Sequence, residues 1–168
     1  MAKKAGYSRG AFYANFEDKE DLLFAVYQHQ LTDIVKSLQE RINPEASAAE
    51  RVAEMRDYYI ELIEDQNLLL FFIEFRLHVI RTAKALKRFD ELRAAGLAEL
   101  DSVLRDAFSD CMNELQMRPE TMNRVFIGLL YGLSLETLFR PEYLSRDEAK
   151  SVVLRLFAYA WRTEDGSQ

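Results

Sequence analysis

Apolar residues return every three or four positions along almost the whole of this 168-residue chain, and no stretch alternates as a half-buried strand does. That regularity confines the chain to packed helices, an all-α fold. With only 6 Gly and 3 Pro, it lacks the turn-forming residues that a many-stranded β fold consumes. Hydrophobic residues make up 49% and charged residues 30%, enough apolar material to offset the entropy of ordering the chain. The length fits one compact domain, or one domain with a small appendage.

Capping residues divide the helical pattern into elements. Residues 1–5 read as the end of a helix, and Gly6 opens a tight turn. Ser8 can cap a short helix over about 8–14. Asp18 then caps a long helix running to about Ile42, with Leu23, Tyr27, Leu31, Ile34, Leu38 and Ile42 on its inner face. Ser47 and Glu50 have capping-box spacing and open a helix to about Glu64, with Val52, Met55, Tyr59, Leu62 and Ile63 inward. An apolar helix follows from Leu68 to Ile80, and a long one over about 84–116. No Gly or Pro marks their joint, and Thr82 is the candidate cap. The long helix carries a stripe of Phe89, Leu92, Gly96, Leu100, Val103, Ala107, Phe108, Met112 and Leu115. Pro119 suits the first position of the next helix, which runs to about Phe139 and stops before Pro141. Ser145 and Glu148 form a second capping box, opening a last helix with Ala149, Val152, Val153, Leu156 and Ala160 on one face.

The composition narrows the chemistry. One cysteine, Cys111, excludes an internal disulfide framework, and its place in an apolar stripe marks it as packing. Two histidines, His29 and His78, are too few for a zinc centre; Glu74 and His78 lie one turn apart but lack a third ligand. Neither a nucleophile elbow nor a phosphate-cradling Gly loop occurs, so no catalytic residue, metal or cofactor is expected and the chain does not read as an enzyme. The basic N-terminus has no apolar run behind it, and no segment suffices to cross a bilayer, so the expected location is the cytoplasm. Residues 1–16 carry +3 of a net −6, which leaves −9 on residues 17–168. A basic tip on an acidic body favours a polyanion at the tip, although a solvated tail has the same charge.

The run MAKKAGYSRGAFYANFEDKEDLL combines a helix end, a Gly turn, a short helix exposing Arg9 and Tyr13, and a supporting helix. This is the second half of a helix-turn-helix, whose second helix enters the DNA major groove. Ser8 and Tyr13 offer hydroxyls to phosphate oxygens, Lys19 sits at a helix start, and Arg9 has the reach and geometry for a guanine edge. Phe12 and Phe16 supply the inward side against Leu22, Leu23 and Val26. The same pattern also fits a helical hairpin cap that meets no nucleic acid. The segment resembles the signature of the TetR family of transcriptional regulators: Ala2, Ala5, Gly6 and Ser8 in the helix and turn, Tyr13 and Phe16 ending the recognition helix, then Lys19, Glu20, Leu22 and Leu23. Asn15 stands where that family often has His.

The resemblance implies a homodimer with a DNA-binding head, residues 1–42 including a connecting helix, and a ligand-binding and dimerisation body, residues 43–168. It implies that Arg9, Gly10, Tyr13 and Asn15 face the groove while Ser8, Tyr13 and Lys19 hold phosphates. In the family a first helix and most of a second precede the matched segment, whereas Met1 stands one residue before it here. The chain is therefore expected to be shortened at its N-terminus and, as it stands, to bind operator DNA poorly; a complete head would restore binding.

Val125–Leu135 is apolar around nearly the whole helix, so it must be covered on every side. Either it is the buried centre of a monomer or its outer side meets a second subunit. Gly128 and Gly132, with Leu129, would let a partner helix approach, and the last helix adds a second apolar face in Leu154, Phe157 and Trp161. The aromatic supply of the central helices, usually core, leaves room for a pocket. By resemblance that pocket would take a small hydrophobic or aromatic inducer, with Tyr59, Phe75, His78 and Phe108 as lining candidates. The function expected is that of a repressor released from operator DNA by that ligand. A helical ligand-binding homodimer that does not contact DNA is the alternative.

Overall fold

The computed structural model describes residues 16–108 and 118–160, apart from the side chains of residues 93–97, 159 and 160. Six helices and no strand occur among the described residues: α1 (Lys19–Arg41), α2 (Ala48–Glu64), α3 (Gln66–Arg81), α4 (Ala83–Phe108), α5 (Pro119–Phe139) and α6 (Arg146–Ala160). The fold is all-α. The predicted short helix over 8–14 lies outside the described residues, as do Cys111, Met112, Leu115 and the tail.

The helices begin where local chemistry starts them. Asp18 accepts the Asp21 backbone N–H at 2.8 Å, with Glu20 and Asp21 adding negative charge at the positive end of α1. Ser47 and Glu50 form a reciprocal capping box at α2. The same exchange between Ser145 and Glu148 opens α6. Pro119 occupies the first turn of α5, where its missing N–H costs nothing. The unmarked joint between α3 and α4 falls at Thr82, whose backbone turns to φ −132°, ψ 126°. Its carbonyl still accepts the Leu86 N–H at 3.0 Å, so one residue ends α3 and begins α4.

Packing follows from the apolar faces. α1 lies on α3 and α4, and α6 lies on α2 and α5, with α3, α4 and α5 packed on one another between these flanks. The buried face of α1 comprises Phe24, Tyr27, Leu31, Val35 and Leu38, continued by Ile42. Leu23 and Ile34, expected on it, lie half-buried at its edge. The turn between α1 and α2 is held by Arg51, which is buried and donates to the carbonyls of Ala46 at 2.5 Å and Pro44 at 3.3 Å. Arg41, in the last turn of α1, and Glu61, in the last turn of α2, tie the two helices by a two-pronged ion pair of 2.9 and 2.5 Å.

The aromatic residues separate into two clusters. In one, Phe75 of α3 is 0% exposed and stacks on Tyr27 of α1 at 4.1 Å between centroids. Phe24 meets Phe75 edge-on at 5.1 Å, and Phe89 of α4 does so at 5.9 Å. This cluster joins α1 to α3 and α4. In the other, Tyr59 of α2, Phe126 of α5 and Phe157 of α6 meet at 4.6 to 5.5 Å. This cluster joins α2, α5 and α6. Phe157 is 1% exposed, so its place on an outer face is corrected: it is a core residue. The helical register carries it inward with Ala149 and Val153, and leaves Leu154 and Leu156 exposed.

Candidate functional site

Three features carry chemistry: the first turn of α1, a small interior cavity, and an uncovered apolar stripe.

Two carboxylates in the first turn of α1 reach across to α3 and α4. Glu20 lies 3.0 Å from His78 Nε2, and Asp21 accepts from Arg88 at 2.6 Å. Asp21 also accepts the Glu17 backbone N–H at 3.3 Å. The Arg88 hydrogen bond first, and that backbone bond second, hold the Asp21 carboxyl below its ordinary value. The Arg88 guanidinium also lies 4.4 Å over the Phe24 ring. The start of α1 is thus fixed to α3 by one contact and to α4 by another, above the ring cluster around Phe75. An open cleft of about 560 Å³ lies beside these contacts, lined by Phe16, Asp21, Phe24, Gln28, Arg88 and Leu92 among others.

The cavity lies deeper, between α2, α4 and α5. Met55, Tyr59, Leu104, Phe108, Pro119 and Asn123 line it, and its volume is about 10 Å³, room for at most one water. Tyr59 is 1% exposed and donates its hydroxyl to Asn123 Oδ1 at 2.5 Å. Burial pushes the Tyr59 phenol far above its ordinary value, so it remains a neutral donor. Of the four residues expected to line a pocket, Tyr59 and Phe108 meet here. Phe75 lies in the other ring cluster, and His78 is turned to Glu20 at the start of α1. Glu20 and Asp21 were legible only as acids at a helix start, and Asn123 and Arg88 carried no local signal; the partners of all four lie 58 to 67 positions away.

The stripe runs along the outer side of α5 through Val125, Gly128, Gly132, Leu135 and Phe139. Val125 is 57% and Phe139 77% exposed, and a Cβ built on either glycine meets nothing within 4 Å. Leu129 is half-buried beside it, and Leu154 of α6 is exposed at 42%. Trp161 lies outside the described residues.

Of the residues expected at DNA, Lys19 is exposed in the first turn of α1; Ser8, Arg9, Gly10, Tyr13 and Asn15 lie outside the described residues. Among the described residues no group of three or more His, Cys, Asp or Glu could hold a metal ion, and no helix is long and apolar enough to cross a membrane.

Residues 1–26 match the family model of bacterial regulatory proteins, tetR family. The chain is also 30% identical over 71 residues to the fatty acid metabolism regulator protein of Bacillus subtilis (strain 168). That alignment covers 42% of this chain and 37% of the relative, little more than a third of its length. No solved structure matches. The N-terminal segment is thus similar to that of the bacterial regulatory proteins of the tetR family, and the described residues that follow it are all-helical.

Proposed function

We propose that the protein is a DNA-binding transcriptional regulator that works as a homodimer and represses until a small apolar ligand releases it. The observation that carries this reading is continuity. The segment matched to the family model ends at residue 26, inside α1, and the first turn of that helix is pinned to the body at His78 and Arg88. In this reading α1 belongs to a head on residues 1–42, and its contacts with α3 and α4 of a body on residues 43–168 are the route by which a change in the body would reach the head. In this reading Arg9, Gly10, Tyr13 and Asn15 face the major groove and Ser8, Tyr13 and Lys19 hold phosphates.

The uncovered stripe on α5 supports the dimer. Contiguous exposed apolar residues around two glycines suit a second copy, whose α5 would lie against Gly128, Leu129 and Gly132 with Leu154 of α6 beside them. The ligand would open the cavity at Tyr59, Phe108 and Asn123, which is too small to hold it in this conformation. The cavity lining is apolar apart from the paired Tyr59 hydroxyl and Asn123 amide, which suits an apolar molecule with a polar end. The relative's name makes fatty acids the first class to screen.

The test is selection of bound sequences from random duplex DNA by the intact native protein, followed by a salt titration of the selected site. The expected result is one enriched site, a steep loss of affinity with salt, and loss of enrichment in Arg9→Ala. A body that takes up apolar ligands and dimerises, yet enriches no sequence, would establish the alternative of a ligand-binding homodimer without DNA contact.

A further inference from the structure

We infer that the corner between α3 and α4 is a second nucleic-acid surface, carried by the body, which contacts the phosphate backbone of duplex DNA beside the site read by the head. The inference rests on the DNA-binding reading above and extends it to residues outside the matched segment.

The first support is charge. The chain is acidic, with net charge −6, yet residues 75–89 contain no Asp or Glu and carry Arg76, Arg81, Lys84, Lys87 and Arg88. Arg88 is engaged by Asp21, and Arg76 lies over the Tyr131 ring at 4.9 Å. Arg81, Lys84 and Lys87 are exposed and make no ion pair with any described residue. Lys84 and Lys87 also stand at the start of α4, whose first turn has no acidic residue, where a cation opposes the helix dipole. Residues 81–87 thus carry three cations with no acid among them. Of the acids at the start of α1, Glu20 and Asp21 are engaged by His78 and Arg88 and Asp18 caps the helix, which leaves Glu17. The repulsion among the cations is a cost that a polyanion offsets.

The second support is position. Asp21 meets Arg88, Tyr27 meets Phe89 at 5.7 Å, and Gln28 lines the same cleft as Leu92. As α1 advances, α4 advances with it, so the two helices run parallel. Residues before Arg88 therefore lie toward, and then past, the start of α1. Only Lys19 and Glu20 precede Asp21 in α1, whereas α4 continues from Arg88 back to Ala83, about 7.5 Å at the helical rise. The corner thus overhangs the point where the N-terminal segment joins the body. In the proposed reading, a duplex held by the head lies at this end of the body, beside these cations.

Leu77, Ile80 and Leu86 are exposed at the same corner, at 41%, 69% and 44%. An anionic lipid surface would also accept basic residues beside apolar ones. It would need an apolar face several turns long, and the apolar faces of α3 and α4 through Phe72, Phe75, Val79 and Ala85 are already buried in the core. Charge complementarity beside the head favours DNA.

The experiment compares the intact native protein with the triple variant R81Q/K84Q/K87Q and with Arg9→Ala, titrating affinity for the selected duplex against salt. Each phosphate contact contributes about 0.9 to the slope of log affinity against log salt. The triple variant is expected to lower that slope by about 2 to 3 per protomer and to bind more weakly at low salt, with its sequence preference unchanged. Arg9→Ala is expected to lose the preference. An unchanged slope in the triple variant, with Arg9→Ala impaired, overturns the corner while leaving the head reading intact. Absence of any preferred sequence in the unaltered protein overturns both. Loss of binding to phosphatidylserine vesicles in the triple variant, with its DNA slope unchanged, assigns the corner to a membrane and refutes the inference.

Discussion

Replacing Phe75 with leucine tests whether α1 is part of the body or merely leans on it. Phe75 is 0% exposed and meets Phe24 and Tyr27 of α1 and Phe89 of α4. Leucine keeps much of the buried volume but removes the ring. Each lost ring pair is worth about 0.5–1.5 kcal/mol beyond its area, and the three share one ring, so they do not sum. Some void remains as well. A loss of about 2–3 kcal/mol is expected for Phe75→Leu, against about 3–5 kcal/mol for truncation to alanine. Urea unfolding followed by far-ultraviolet circular dichroism measures it, and an unchanged m-value shows that the same surface is being exposed. Hydrogen exchange then locates it. Amides of α1 should lose protection more than those of α6, which packs around Phe157 in the other cluster. Equal loss in both helices, or a destabilisation under about 0.5 kcal/mol, would refute the idea that this ring couples α1 to α3 and α4.

Asp21→Asn should flatten the acid side of the stability profile. The folded-state carboxyl is held below the ordinary 3.8, so its stabilisation is complete above that value and disappears as pH falls below it. The wild type should therefore lose more stability than the variant in that window, and parallel profiles would contradict the Arg88 contact. Tyr59→Phe leaves the Asn123 carbonyl without its donor and should cost about 1–3 kcal/mol in urea melts; a neutral result would mean that the contact is replaced by water. Val125→Glu combined with Leu135→Glu places charges on the open stripe of α5 and should give a monomer by light scattering, since both side chains are exposed in the single chain. A dimer that survives both charges would move the interface elsewhere.

Elements whose ends are set by neighbours in sequence could be read from the sequence. Asp18, the Ser47–Glu50 and Ser145–Glu148 pairs and Pro119 each act within one turn, and the helices begin beside them. On the inner face of α1, Tyr27, Leu31, Leu38 and Ile42 are buried as read, whereas at two places the neighbouring residue, Phe24 or Val35, is buried and Leu23 or Ile34 lies at the edge. Both sets have helical spacing, and only the position of α3 and α4 decides between them. The same limit applies to His78. Its apolar neighbours suggested a pocket, but its partner, Glu20, lies on a helix 58 positions earlier. Phe157 was read onto an outer face because an apolar residue on a two-sided helix does not declare which side is covered. Asn123 became visible only when the fold brought it to Tyr59.

The most direct test is a footprint of the intact native protein on its selected duplex, with and without a ligand that opens the Tyr59 cavity. The account predicts two protected half-sites about one helical turn or a multiple apart, read by paired heads and lost together when ligand is added. Protection that persists unchanged with ligand bound, or that covers a single half-site per dimer, would contradict a head governed through α1.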